Sequence, residues 1–165
     1  MALIVEDGTG LSTANCYITR AGYITYHTDR NNLVAAGLDG AAIDAAILYA
    51  TVWMDARYNW RGEIVDDDQA LGMPTEDGVD DQGRDIEDLP LKVAYACAEL
   101  AYMHYQKPLN SIVGPLVIEQ EVTGAVKRKF SDRAGNEGSR FPIVDMMLKG
   151  LYTSGGVQFL ESMGA

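Results

Sequence analysis

Basic residues are scarce in this chain. Across 165 residues, 13 Lys and Arg stand against 24 Asp and Glu, a formal charge of −11. A generic nucleic-acid surface needs Lys and Arg to replace counterions on phosphates, so this balance argues against one and leaves room only for a local basic patch. Cysteine is also scarce. Cys16 and Cys97 make no disulfide framework and no metal-site spacing, and Cys97 falls in an apolar helical pattern, as a reduced core thiol does. No basic region followed by a long apolar run opens the chain, so no signal peptide is read. The expectation is manufacture in a reducing cytoplasm. No stretch is long and unbroken enough to read as a membrane span. Histidine is limited to His27 and His104, both on helical apolar faces, where a satisfied structural residue is commoner than a base. Gly-x-Ser-x-Gly, Walker, dinucleotide and His-Glu-x-x-His motifs are all missing. The carboxylates cluster in a hydrophilic loop, and a solvated Asp is not a tuned one. These absences point away from an enzyme, a cofactor and a metal.

What the chain does have is one nearly all-apolar helical stretch, Asp39 to Trp60. Asp39 is a good N-cap, strong helix formers follow, and Gly62 is a plausible stop. Its polar positions are Asp44, Thr51, Asp55 and Arg57, and the first three share one narrow stripe at spacings of seven and four. Such a helix is buried on most of its circumference, by its own domain or by neighbouring subunits. A second helix is predicted from Pro90 to Lys107, with Asp88 as its cap and Pro108 after its end. Lys92, Tyr95, Glu99, Tyr102 and Gln106 line one side of it; Val93, Ala94, Cys97, Leu100, Ala101 and His104 line the other. Its alanines allow close packing on the central helix. Shorter helices are predicted at 20–30, after Thr19 as N-cap, and at 142–152.

Between the two long helices, residues 63–88 hold eleven carboxylates and one base, Arg84, with Pro74 and several glycines. They read as a long irregular loop, with at most a turn of helix at 67–71. A calcium loop does not fit, because setting Gly83 at the obligatory glycine puts Gly78 where the first Asp ligand belongs. After Pro108 the period changes from helical to alternating. Residues within 116–131 predict a β-hairpin turning at Thr123-Gly124, one strand acidic at Glu119 and Glu121, the other basic at Lys127, Arg128 and Lys129. Cross-strand pairing accounts for those charges. Trp53, Tyr58 and Trp60 offer a base-stacking platform, but at helical spacing core or interface is the commoner fate. The fold expected is mainly α: a small helical bundle over 1–152 with one hairpin, then an extended C-terminal arm over 153–165.

The order of several short stretches adds what chemistry does not. Ala2-Leu-Ile-Val-Glu-Asp-Gly-Thr-Gly-Leu11, Ala14-Asn15-Cys16-Tyr17-Ile18, Met54-Asp-Ala-Arg-Tyr-Asn-Trp-Arg-Gly62, Leu89-Pro-Leu-Lys-Val-Ala94 and Arg140-Phe-Pro-Ile-Val-Asp-Met-Met-Leu148 resemble, in sequence, the tailed-phage head–tail connector or adaptor family. Some of its members carry the label of a DnaT-like single-stranded DNA-binding protein. The resemblance covers roughly residues 2–152. Cys16 stands where a Ser is usual, and Met73-Pro74-Thr75 where Trp-Pro-Arg is common, which removes an Arg from that loop. What the resemblance implies is a non-enzymatic structural adaptor in the virion neck, made in the host cytoplasm. It would form a ring, usually of twelve copies, beneath the portal, extend the channel for double-stranded DNA without gripping it, and receive the stopper or tail-completion protein. No membrane is involved. The hairpin, with Lys127, Arg128 and Lys129, is expected to contact the next ring or DNA. Val157, Phe159, Leu160 and Met163 of the arm are expected to dock on the portal, against the alternative that the arm folds back on its own subunit. The other class of function is a single-stranded DNA-binding module, supported by the label, the three basic residues and the aromatics.

Overall fold

The computed structural model describes residues 2–86, 88–109, 117–122, 126–130 and 141–153, and for 117–122 and 126–130 the backbone alone. The architecture is mainly helical. In chain order it comprises α1 (Arg20–Asp29), α2 (Leu33–Ala36), α3 (Gly40–Arg57), β1 (Asn59–Trp60), β2 (Glu63–Ile64), β3 (Thr75–Glu76), α4 (Leu91–Gln106), β4 (Val117–Val122), β5 (Val126–Phe130), α5 (Pro142–Leu148) and β6 (Tyr152–Thr153). The strands form three antiparallel pairs: β1 with β6, β2 with β3, and β4 with β5.

Helix starts follow their caps. The Thr19 hydroxyl accepts from Gly22 N at 2.8 Å, and the Asp39 carboxylate accepts from Ala41 N and Ala42 N at 3.0 and 3.3 Å. At α4 the cap differs from expectation. Pro90 occupies the N-cap without a side-chain bond, and Asp88 sits at φ +52° in the preceding turn. Helix α2 was not expected; the Asn32 side chain caps it through Ala35 N.

Two helix ends fall earlier than the hydrophobic pattern reads. Helix α3 stops at Arg57, not Trp60, because Tyr58 turns extended (φ −106°, ψ 129°) and leads into β1. Helix α5 stops at Leu148, where Gly150 at φ +89° turns the chain so that Tyr152 and Thr153 pair with Trp60 and Asn59. The pairing of Asn59–Trp60 with Tyr152–Thr153 satisfies backbone groups that a longer helix would otherwise have used. No helix forms at 67–71, only a turn closed by Gln69 N on Asp66 O at 3.0 Å.

The core lies between α3 and α4. Ala46, Ile47, Ala50 and Met54 of α3 meet Val93, Cys97, Leu100 and Ala101 of α4, all at 4% exposure or less. Small side chains at the crossing let the two axes come close, and truncating Met54 or Leu100 there would cost about 2–5 kcal/mol. Helix α1 closes one side. Its His27 reaches the Ala98 carbonyl at 3.2 Å, and Tyr26 donates to Glu99 at 2.8 Å while its ring meets that of Tyr95 at a tilt of 42°. The expected polar stripe of α4 is therefore largely a seam with α1. Among the described residues, no helix is long and apolar enough to cross a membrane.

Candidate interaction surface

The stripe Asp44–Thr51–Asp55 faces other elements rather than water. Asp44 forms an ion pair with Arg20 of α1. Thr51 is fully buried, donates to the Ile47 carbonyl at 3.0 Å and lies 3.5 Å from the Cys97 sulfur. Burial pushes the Cys97 thiol up to about 12, so it stays protonated as a core residue. Asp55 takes three donors: Tyr17 Oη at 2.5 Å, Trp60 Nε1 at 3.0 Å and Gly72 N at 3.1 Å. Tyr17 in turn accepts from Met73 N at 3.1 Å. The acidic excursion is thus tied to the C-terminal turn of α3 through one carboxylate.

The aromatics near this hub are locked together. Trp53 meets Phe141 edge-on at 5.1 Å, and Tyr58 contacts Trp53, Trp60 and Tyr152 while donating to Asp145. They hold α5 and β6 against α3 and are not laid out as a free stacking platform.

With the polar stripe turned inward, an apolar line faces out. Ala41, Ala45, Tyr49, Val52 and Ala56 are all exposed, Tyr49 at 60% and Val52 at 68%. Their spacings of four, four, three and four keep them on one face of α3. Tyr49 stacks on His104 of α4 with ring centroids 4.4 Å apart and planes within 16°. His104 Nδ1 accepts from Leu109 N at 3.3 Å, and partial burial lowers its pKa. A neutral, fixed imidazole therefore braces the exposed Tyr49. The individual residues of this face were not singled out by sequence reading; its signal was a helix apolar on every side.

The basic residues expected on the hairpin do lie together on β5. In the strand register Lys127 stands opposite Glu121, Arg128 opposite Gln120 and Lys129 opposite Glu119. The last pair of the register is Val122–Val126, and the turn expected at Thr123-Gly124 lies outside the described residues. Val157, Phe159, Leu160 and Met163 lie outside the described residues.

The family model described as "Putative DnaT-like ssDNA binding protein" matches residues 1–162. The chain belongs to that family. No curated protein and no solved structure matches it. Seen as a member of the DnaT-like family, the chain holds several of its described cations in internal contacts, while Arg57, Lys92, Lys107 and Lys149 are exposed. Arg61 and Arg84 pair with Asp81 and Asp80, as Arg20 does with Asp44, and Arg30 lies 3.6 Å over the Tyr26 ring.

An opening of about 450 Å³ lies between the N-terminal turn and the acidic excursion, lined by Gly8, Val65, Thr75, Glu76, Asp77, Asp85, Ile86 and Asp88. Among the described residues, no three His, Cys, Asp or Glu side chains are grouped to hold a metal ion. The N-terminal turn itself is organised from within. Buried Glu6 accepts from Gly8 N, Gly10 N and Leu11 N at 2.9–3.0 Å, which explains the Glu-Asp-Gly-Thr-Gly-Leu order.

Proposed function

We propose that this chain is a structural head–tail adaptor of a tailed phage. On this reading, copies form a ring under the portal, extend the DNA channel and join it to the stopper or tail. The observation that carries the reading is the outward face of α3, where Tyr49 and Val52 are bare on the longest helix among the described residues. A helix apolar all round fits a subunit with neighbours. The charge of −11 is in keeping with a channel wall along which DNA slides without adhering.

The second reading, a single-stranded DNA-binding module, is favoured by the family description and by Lys127, Arg128 and Lys129 on β5. Against it stand the acidic residues opposite in the hairpin register and the ion pairs of Arg20, Arg61 and Arg84. Co-sedimentation with a purified cognate portal, run beside filter binding to single-stranded DNA, separates the two. Portal binding without DNA binding supports the adaptor. The opposite pair of results replaces it with the DNA-binding module.

A further inference from the structure

We infer that the outward face of α3 is a contact between copies of this chain, with Tyr49 as its anchor; this rests on the adaptor reading above. Charge selects the occupant. Two chains of −11 repel wherever their carboxylates meet. Between Asp39 and Arg57 the outward line Ala41–Ala45–Tyr49–Val52–Ala56 carries no charge, and the two carboxylates within α3 point elsewhere, Asp44 to Arg20 and Asp55 to Tyr17, Trp60 and Gly72. A second acidic copy can therefore lie on this face without setting acid against acid. A nucleic-acid strand finds no cation along it before Arg57. Alanines at both ends of the line admit a close neighbour, and the stacked His104 holds Tyr49 in one orientation before contact.

Size decides the form of the assembly. The line is about 22 Å long and roughly 10 Å wide, well short of the ~800 Å² per partner that a stable pairwise interface covers. A lone pair held by this face is weak. In a closed head-to-tail ring each copy is held from two sides, so removing one breaks two contacts. The chain should thus pass from monomer to closed multimer with few dimers between.

The test uses the purified full-length chain, read by size-exclusion with light scattering and native mass spectrometry over a concentration series. Tyr49→Glu with Val52→Glu should raise the concentration for half-assembly by about tenfold or more while far-UV helicity stays the same. Tyr49→Phe, which keeps the ring stack, should assemble like the parent. The inference fails if the double variant assembles as the parent does, or if the parent stays monomeric throughout. A parent that stays monomeric yet co-sediments with the portal sinks this inference and leaves the adaptor reading standing. Loss of portal binding in an assembling parent sinks the adaptor reading alone.

Discussion

Asp55 carries more of the interior polar chemistry than any other side chain on α3. Removing it leaves the Tyr17 hydroxyl, the Trp60 indole N–H and Gly72 N without their acceptor. Asp55→Ala should lower stability by about 2–4 kcal/mol, measured as a shift of the urea midpoint, since each part-buried donor left unpaired adds its own desolvation penalty. A loss under about half of one hydrogen bond's worth would show that water replaces the carboxylate there. His27 makes a different kind of statement. Desolvation, against the hydrogen bond to Ala98, holds its pKa below the ordinary 6.5. A base whose folded pKa is depressed binds fewer protons folded than unfolded once pH drops below the unfolded value. The stability it contributes is therefore full above about pH 7 and lost as pH falls through ~6.5 toward the folded pKa. His104 is shifted the same way by burial and adds to the slope. Denaturant melts between pH 7.5 and 5.5 should show declining stability, and a rise over that window would contradict the burial of both rings.

At the scale of elements, sequence reading and structure part at helix ends, while the excursion between α3 and α4 is largely irregular as expected, with the short pair β2–β3 in it. The two long helices and the hairpin were legible, because a 3.6 period and a 2 period survive packing. The ends of α3 and α5 were not, because Tyr58-Asn-Trp60 and Leu151-Tyr-Thr153 have no local signal for a pairing made across more than ninety residues. Gly62 looked like a helix stop. Instead it sits at φ +92° where a Cβ would come 2.4 Å from the Glu76 carbonyl oxygen. Gly72 is likewise pressed on Trp60, with a hypothetical Cβ 2.6 Å from the indole. Neither approach is visible without the fold. Asp55 had a faint signal, one of two carboxylates in a largely apolar helix, with Trp60 five residues on. Gly62→Ala combines a forbidden φ with a backbone clash, so the β2–β3 crossing should open rather than adjust. The expected result is faster amide exchange and proteolysis within 61–88, with the helicity of α3 and α4 retained. Unchanged protection of that segment would refute the close approach. Gly72→Ala should be milder, roughly 1–3 kcal/mol, because a side chain rather than backbone must yield.

At the scale of the whole molecule, charge separates the two readings of function. The chain has a pI near 4.4, and the strongest local concentration of positive charge in its sequence is Lys127-Arg128-Lys129. In register those residues oppose Glu121, Gln120 and Glu119, so the two strands sum to +3 − 2 = +1 over Val117–Val122 and Val126–Phe130. Counterion release from phosphates grows with the number of cations delivered, and each contributes a salt slope of about 0.7 on single strands. One net charge on an acidic body gives little affinity and a shallow slope. The expected outcome in filter binding is no sub-micromolar retention of single-stranded DNA at physiological salt, and no change on replacing Lys127, Arg128 and Lys129 with Ala. That replacement takes the chain from −11 to −14, so any binding carried by the hairpin should vanish with it. The parent is the decisive arm. Tight binding by the parent that is lost in the triple variant, with a salt slope of about −2, would mean that the hairpin meets DNA despite its acidic strand. The DNA-binding module would then displace the adaptor.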